Sequence, residues 1–145
     1  MTGVQTCALP IYIDDLNPQV LAYTTERLVE FGALDVSLQP VQMKKGRAGT
    51  LLRAVAKPEH REAIAQIIFA ETSTLGVRIY AAERRVQART FTEVETPHGK
   101  VRIKVSSEGS YAPEYEDCRQ LAAQTGVALK HIIAEANYAY LKLTR

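Results

Sequence analysis

Apolar and polar residues alternate with two different periods along this chain, and these periods predict the order of its helices and strands. Asn17 and Pro18 predict the start of a helix, because asparagine caps a helix and proline is tolerated at its first position. An imperfect apolar stripe over residues 20–31 continues that helix, and Gly32 ends it. Residues 34–39 then alternate between apolar and polar side chains, which predicts a half-buried strand.

The same periods recur in the next segment. Residues 50–56 predict a second strand, Pro58 opens a second helix, and residues 75–81 alternate as a further strand. The second helix is expected to turn its apolar face, formed by Ala63, Ile64, Ile67 and Ile68, toward a core. With a short β-prone piece at residues 11–13, the order is β-α-β-β-α-β. This is the order of the ferredoxin-like fold, in which two helices cover one face of an antiparallel sheet.

Beyond residue 86 the pattern changes to a hairpin and two helices. Residues 97–100 predict a turn, and alternation resumes over residues 101–105. Pro113 is expected to open a helix that Gly126 ends, and a last helix follows at residues 128–141. The sequence therefore predicts an α+β chain. A ferredoxin-like subdomain at residues 12–86 is followed by a β-hairpin plus helical subdomain at residues 87–145.

Residues 1–11, MTGVQTCALPI, are set apart from this pattern. They show no helical or strand periodicity and look like the translation of a sequencing adapter, so we expect a non-native leader without functional meaning. The alternative is a real but irregular N-terminal strand. If the leader is not native, the natural part is a fragment that starts near Tyr12, and an upstream domain is missing.

Composition narrows the function classes. Of the 145 residues 46% are hydrophobic and 23% are charged, with a net charge of +2, which disfavours DNA or membrane binding through a strong electrostatic field. RNA binding is also disfavoured, because the predicted sheet faces lack paired aromatics in a basic field. There is no apolar run near the length of a membrane span and no signal-peptide pattern, and two cysteines do not make a disulfide framework. We therefore expect a cytoplasmic protein.

Two charged clusters of the first subdomain are candidates for binding chemistry. Asp14 and Asp15 end a strand and offer oxygen ligands to a hard cation, although an acidic pair before a helix also complements the helix dipole. Lys44, Lys45 and Arg47 share a glycine-bearing turn that suits a polyphosphate, although a solvated basic hairpin tip has the same composition. From the residues alone both alternatives stay open.

Two further clusters lie at the ends of elements. Residues 71–78 (ETSTLGVR) combine an acid, three hydroxyls and an arginine, which suit either phosphate binding or ordinary turn capping. Residues 111–118 (YAPEYEDC) open a helix with three acids and a thiol, which suit a transition metal, a helix dipole or a buried cysteine. The histidines at positions 60, 98 and 131 have no metal-like spacing and are expected at the surface.

The order of these clusters resembles that of the LarC nickel-insertion proteins. Residues 13–18 (IDDLNP) resemble their IDDMNPE segment, and residues 42–50 (QMKKGRAGT) resemble their QMKKxRPGT loop. Residues 72–78 (TSTLGVR) resemble TTTLGVR, and residues 112–118 (APEYEDC) match APEYEDC. The resemblance covers residues 13–136. The chain departs from the family pattern at Tyr12, Leu16, Gln19, Ala48 and Ser73, none of which removes a charge from a candidate ligand cluster.

The resemblance implies a function and a set of site residues. The family inserts nickel into pyridinium-3,5-bisthiocarboxylic acid mononucleotide in a reaction that uses CTP with Mn²⁺ or Mg²⁺, and the CTP site belongs to the C-terminal region. It implies a metal-chelatase-type lyase of which this chain is a fragment. The nucleotide is expected at Lys44, Lys45, Arg47, Thr74 and Arg78; the divalent ion at Asp14, Asp15 and Glu71; and nickel, or only the pocket wall, at Glu114, Glu116, Asp117 and Cys118.

The expected partners are the nucleotide, the small-molecule substrate and the missing N-terminal domain of the same protein. A homo-oligomer, a trimer or a hexamer, is also expected. The alternative function is a ferredoxin-like module that binds a nucleotide for regulation or assembly and does not catalyse a reaction.

Overall fold

The computed structural model describes residues 2–144. In it the chain divides into two compact units, with the boundary between residues 85 and 86. The elements of the first unit are β1 (Thr2–Ile13), α1 (Pro18–Glu30), β2 (Ala33–Gln42), β3 (Ala48–Ala56), α2 (Arg61–Glu71) and β4 (Tyr80–Val86). Its four strands lie in the order β2-β3-β1-β4, and β3 runs antiparallel to both β1 and β2. This is the ferredoxin-like arrangement, so the predicted fold of the first unit is confirmed.

Strand β1 differs from the sequence expectation, because residues 1–11 were expected to lack strand periodicity. Cys7, Leu9, Ile11 and Ile13 alternate at a period of two, and all four are buried in the core. Pro10 argues against an interior strand by the usual rules, yet it pairs with Arg53 inside the β1–β3 ladder. The expectation of an unpatterned segment was therefore wrong, while its non-native origin stays a prediction.

The helices of this unit begin and end largely where the sequence indicates. The Asn17 side chain accepts a hydrogen bond from the backbone N–H of Gln19 at 2.8 Å and so caps α1. A single 3-10 turn at Pro58–His60 precedes α2. Ile64, Ile67 and Ile68 are buried as predicted, but Ala63 is exposed and Ala65 takes its place in the core.

Strand β4 starts later than the alternation predicts. Leu75 is 99% exposed, and residues 72–79 form a loop. The backbone N–H of Thr74 donates to the Thr72 hydroxyl at 3.2 Å, and the Thr74 hydroxyl donates to the Gly76 carbonyl at 3.1 Å. The Gly76 carbonyl is thus bonded locally and not in a strand ladder, and of the predicted strand at residues 75–81 only residues 80 and 81 belong to β4.

The second unit contains β5 (Arg89–Thr96), β6 (Gly99–Ser106), β7 (Tyr111–Pro113), α3 (Tyr115–Thr125) and α4 (Leu129–Leu143). The predicted hairpin and two helices are confirmed, and the short edge strand β7 completes a three-stranded sheet in the order β5-β6-β7. Pro113 does not open α3. It closes β7 opposite Ile103, a position at a sheet edge where its missing N–H is tolerated.

Each unit has its own core. The second core consists of Val94, Val101, Ile103, Cys118, Ile132 and Ala136. Among residues 2–144, every helix is too short or too polar to cross a bilayer.

Candidate functional site

Three segments of the first unit are joined through the side chains of Asp14 and Asp15. Arg47 Nη1 lies 3.3 Å from Asp14 Oδ2, and the Ser73 hydroxyl donates a hydrogen bond to Asp15 Oδ1. The acidic pair that follows β1 thus contacts the β2–β3 loop (residues 43–47) and the α2–β4 loop (residues 72–79). We call this arrangement the three-loop cluster, and it brings together three groups that lie far apart in the sequence.

The β2–β3 loop is held in a defined backbone conformation. A 3-10 turn spans Lys44–Gly46, and the Met43 N–H donates to the Arg47 carbonyl at 2.7 Å across the loop. Lys45 adopts a left-handed conformation with φ 60° and ψ 25°. Such a conformation in a non-glycine residue costs on the order of 1 kcal/mol and persists where the surroundings enforce it. The loop therefore presents the Lys44 and Lys45 side chains on a fixed turn.

Gly49 allows this loop to approach the end of β1. A Cβ atom at this position would lie 2.8 Å from the Ile13 carbonyl oxygen and would also collide with the Met43 sulfur. Ile13 immediately precedes Asp14, so the missing side chain keeps the acidic pair beside the basic loop. Here the glycine is required by close packing against backbone.

The cations of the two loops are largely free of acidic partners. Lys44, Lys45 and Arg78 are exposed, and none of them forms an ion pair within the described chain, residues 2–144. Arg47 has only the Asp14 contact there, with 58% of its side chain exposed. Thr74 lies on the α2–β4 loop, partly buried and bonded to Gly76. The loops therefore offer several unneutralised positive charges to a bound anion.

Glu71, expected as a ligand of the divalent ion, is held elsewhere. Arg27 Nη1 lies 2.5 Å from Glu71 Oε1, and the same guanidinium stacks at 5.2 Å over the ring of Phe31. The structure thus joins Asp14 and Asp15 to the basic loop but does not join Glu71 to them. Neither the Arg27 partner nor the Ser73 contact to Asp15 was foreseen, because the paired residues lie 44 and 58 positions apart.

The carboxylates of the three-loop cluster fit a hard divalent cation only if a bound molecule supplies further oxygen ligands. Over residues 2–144, histidine, cysteine, aspartate and glutamate side chains nowhere form a group of three or more arranged to hold a metal ion. Two adjacent carboxylates supply part of a shell, and Mg²⁺ is commonly bound by one or two carboxylates together with the phosphate oxygens of a substrate.

The acids of the second unit have partners of their own. Asp117 accepts hydrogen bonds from the Arg102 backbone N–H at 3.0 Å and from its guanidinium at 2.9 and 2.7 Å. Glu116 pairs with Arg119 at 2.6 Å, and Glu114 lies 3.6 Å from Lys104. These hydrogen bonds from arginine hold the pKa of the Asp117 and Glu116 carboxyls below their ordinary values.

Cys118 faces the core of the second unit and not its surface. Its side chain is fully buried. Burial, together with the charge of Asp117, raises the pKa of the thiol, which favours its neutral form. Metal ligation requires the thiolate, so this position favours the packing role over the nickel role.

His98 was expected at the surface but is partly buried. Its Nε2 atom lies 3.1 Å from Glu135 Oε2. His131 is exposed as expected, and His60 is partly buried.

Comparison with known proteins agrees with this architecture. The family described as nickel insertion protein matches residues 3–133. The pyridinium-3,5-bisthiocarboxylic acid mononucleotide nickel insertion protein of Acetivibrio thermocellus is 44% identical over an alignment of 140 positions, which covers 94% of this chain and 34% of that protein. The chain spans about a third of the length of the curated relatives it matches.

The fold of the chain also matches solved structures. The apo form of the C-terminal domain of a cyclometallase involved in the synthesis of the NPN cofactor of lactate racemase superposes with a TM-score of 0.91 and 32% identity, covering 96% of this chain and 99% of that one. A protein from Methanopyrus kandleri shares the fold at a TM-score of 0.65 and 22% identity, covering 97% of this chain and 91% of that one. By its match to the family over most of its length, the chain belongs to the nickel insertion proteins.

Proposed function

We propose that this chain is the CTP- and divalent-metal-binding part of an enzyme that inserts nickel into pyridinium-3,5-bisthiocarboxylic acid mononucleotide. The nickel-pincer cofactor is the product of that pathway, and nickel is a substrate of the enzyme. The observation that supports the proposal is the three-loop cluster, in which two carboxylates lie beside a loop of unneutralised cations. A triphosphate with its metal ion needs this combination of charges.

The triphosphate is assigned to the cations of the two loops. Lys44, Lys45 and Arg47 lie within four consecutive positions of the β2–β3 loop, and Arg78 lies on the α2–β4 loop. Arginine binds phosphate through two parallel hydrogen bonds, while lysine supplies a mobile point charge. Thr74 can add a hydroxyl donor once it exchanges its bond to Gly76.

Mn²⁺ or Mg²⁺ is assigned to Asp14 and Asp15. Both cations prefer oxygen ligands, and the phosphate oxygens of the nucleotide would complete the shell. Glu71 would have to leave Arg27 in order to join them, so we assign it to anchoring the start of the α2–β4 loop.

The proposed chemistry is nucleotidyl transfer followed by nickel capture. A thiocarboxylate group of the substrate attacks the α-phosphorus of CTP, the bond between the α-phosphorus and the bridging oxygen breaks, and pyrophosphate leaves with that electron pair. The loop cations stabilise the charge that develops on the phosphate oxygens, and a divalent ion held by Asp14 and Asp15 would add to that stabilisation. The CMP-linked substrate is thereby activated for metal capture, and attack of water on the phosphorus of the adduct then releases CMP and returns the thiocarboxylate. This is the activity of a metal-chelatase-type lyase.

We also propose that the protein acts in the cytoplasm as a homo-oligomer, a trimer or a hexamer. Both cysteines are free thiols, as in a reducing compartment. Tyr12 and Tyr80 are more than half exposed, and Leu75 is almost wholly so, which favours a further apolar contact surface. Light scattering of the purified protein tests the oligomer, and a monomer would contradict it.

The function is tested by calorimetric titration of CTP, ATP and GTP in the presence of Mn²⁺. We expect CTP to bind with the highest affinity. A variant carrying Lys44→Ala and Lys45→Ala should lose most of that affinity, with an unchanged circular dichroism spectrum. Absence of nucleotide binding by the wild-type protein would refute the proposal. Binding without release of CMP and pyrophosphate in the presence of substrate would instead support a regulatory module.

A further inference from the structure

We propose that Arg47 couples metal binding to nucleotide binding by exchanging the Asp14 carboxylate for a nucleotide phosphate. The inference rests on the function proposed above and specifies how that site is filled. Arg47 Nη1 lies 3.3 Å from Asp14 Oδ2, so the cation assigned to the nucleotide neutralises the carboxylate assigned to the metal. Neither ligand can make its full set of contacts while this ion pair persists.

The two members of the pair differ in their freedom to move. The Asp14 side chain is 18% exposed and that of Arg47 is 58% exposed. The backbone on both sides is restrained, because Gly49 packs against the Ile13 carbonyl and the Met43 N–H bonds to the Arg47 carbonyl. The exchange therefore requires only a change of side-chain rotamer at Arg47, while Asp14 stays in place as an acceptor.

Electrostatics makes the exchange favourable only when both ligands are present. A divalent cation that approaches Asp14 alone meets the guanidinium charge and finds one of two carboxylates already paired. A phosphate that attracts Arg47 alone leaves Asp14 without its cation. When both bind, the guanidinium moves to the phosphate and the metal takes its place at Asp14. By linkage, each ligand must then raise the affinity of the other by the same factor.

Lys45 provides the matched comparison within the same loop. It carries the same charge two positions away, but it forms no ion pair with a carboxylate anywhere in residues 2–144. A lysine of this kind contributes to phosphate binding without obstructing the metal. Arg47 and Lys45 thus have different roles, although both are cations of the same loop.

The experiment measures the dissociation constant of Mn²⁺, by the loss of its free electron paramagnetic resonance signal, with and without CTP. In the absence of nucleotide, Arg47→Gln should bind Mn²⁺ about fivefold more tightly than the wild type, because the metal no longer has to displace an exposed guanidinium from the Asp14 carboxylate. Its CTP affinity should fall, and the coupling factor between the two ligands should fall toward one. Lys45→Gln should weaken CTP binding but leave the nucleotide-free Mn²⁺ affinity within about twofold of the wild type.

A reciprocal variant gives the second measurement. Asp14→Asn frees Arg47, so CTP should bind more tightly in the absence of metal while the enhancement by Mn²⁺ is lost. If Arg47→Gln leaves nucleotide-free Mn²⁺ binding unchanged or weaker, the exchange is refuted. It is equally refuted if Lys45→Gln tightens Mn²⁺ as much as Arg47→Gln, since net loop charge then explains the effect. If the wild type binds no CTP, the proposed function itself fails, which the wild-type titration shows directly.

Discussion

The first and the second unit carry charged clusters of similar composition, yet they use these charges in opposite ways. In the three-loop cluster Lys44, Lys45 and Arg78 face solvent, and the described chain offers them no acidic partner within ion-pair distance.

At the start of α3, in the second unit, each acid pairs with a cation of the same unit: Glu114 with Lys104, Glu116 with Arg119 and Asp117 with Arg102. Charged side chains that already pair with each other gain little electrostatic energy from a ligand, whereas cations without an acidic partner gain more when they bind an anion. The presence or absence of ion-pair partners therefore distinguishes a binding site from a structural surface better than the number of charged residues does.

The largest expected effect comes from removing two cations on each side of this comparison. Lys44→Gln with Lys45→Gln should weaken CTP binding by about a hundredfold, because each charge-assisted contact is worth about 1.5 kcal/mol or more. Arg102→Gln with Arg119→Gln changes the net charge equally and should leave CTP affinity within about twofold, while lowering the melting temperature. Calorimetry and thermal melting of both variants measure this. An equal loss of affinity in the two would mean that overall charge, and not the cluster, attracts the nucleotide.

A second comparison concerns the two glycines beside the candidate ligands. Gly49→Ala places a methyl group against the Ile13 carbonyl and should destabilise the protein by about 1–3 kcal/mol. A Cβ at Gly76 meets no atom within 4 Å, so Gly76→Ala should change stability by less than about 0.5 kcal/mol. Urea unfolding of both variants gives the difference. Similar stabilities would show that the packing of β3 against the end of β1 is not what holds the acidic pair beside the basic loop.

The periodicity of apolar residues was enough to predict the fold. It failed where local hydrogen bonds formed in place of a strand, and where a segment was too short to show a period or was interpreted as a leader. Asn17 caps α1 as its pattern indicates, since capping is a local effect. Residues 34–39 form the predicted strand, but Leu34 and Leu38 are exposed, and only Val36 of the predicted apolar face packs against the core. Residues 75–79 alternate but form a loop, because threonine hydroxyls bond the backbone there. Only the end of β1, at residues 11–13, was predicted, because residues 1–11 were interpreted as an unpatterned leader, and β7 was not predicted because three residues carry no period.

The candidate site was predictable as a set of residue types but not as a set of contacts. The four charged motifs were identified from composition and from resemblance to the family. Their partners were not, because Asp14 and Arg47 lie 33 positions apart and Arg27 and Glu71 lie 44 apart. Only the tertiary fold shows which charged residues of a motif have a partner of opposite charge and which do not.

Substitutions at Cys118 test whether the buried thiol behind the paired acids of the second unit has any part in nickel binding. Cys118→Ser places a hydroxyl in an apolar core and should destabilise the protein by about 1–3 kcal/mol, with Cys118→Ala nearer the lower end of that range. Cys7→Ser, in the other core, should have a comparable effect. None of the three should change the affinity for Ni²⁺ measured by calorimetry. A tenfold loss confined to the Cys118 variants would instead identify the thiol as a nickel ligand.

The smallest expected effect concerns the pH dependence of the Arg102–Asp117 pair. Because hydrogen bonds from Arg102 lower the pKa of Asp117 in the folded protein, the pair stabilises the fold fully above the unfolded pKa of about 3.9. That contribution is lost as the pH falls below this value and through the lower folded pKa. Asp117→Asn should therefore be less stable than the wild type at pH 7, by about 1 kcal/mol because Arg102 is half exposed, and the difference should shrink below about pH 4. Urea unfolding at several pH values measures it, with Arg102→Met as the partner in a double-mutant cycle. If the Asp117→Asn difference persists unchanged in the Arg102→Met background, the pair does not stabilise the second unit, and the contrast with the unpaired loop cations would lose its physical basis.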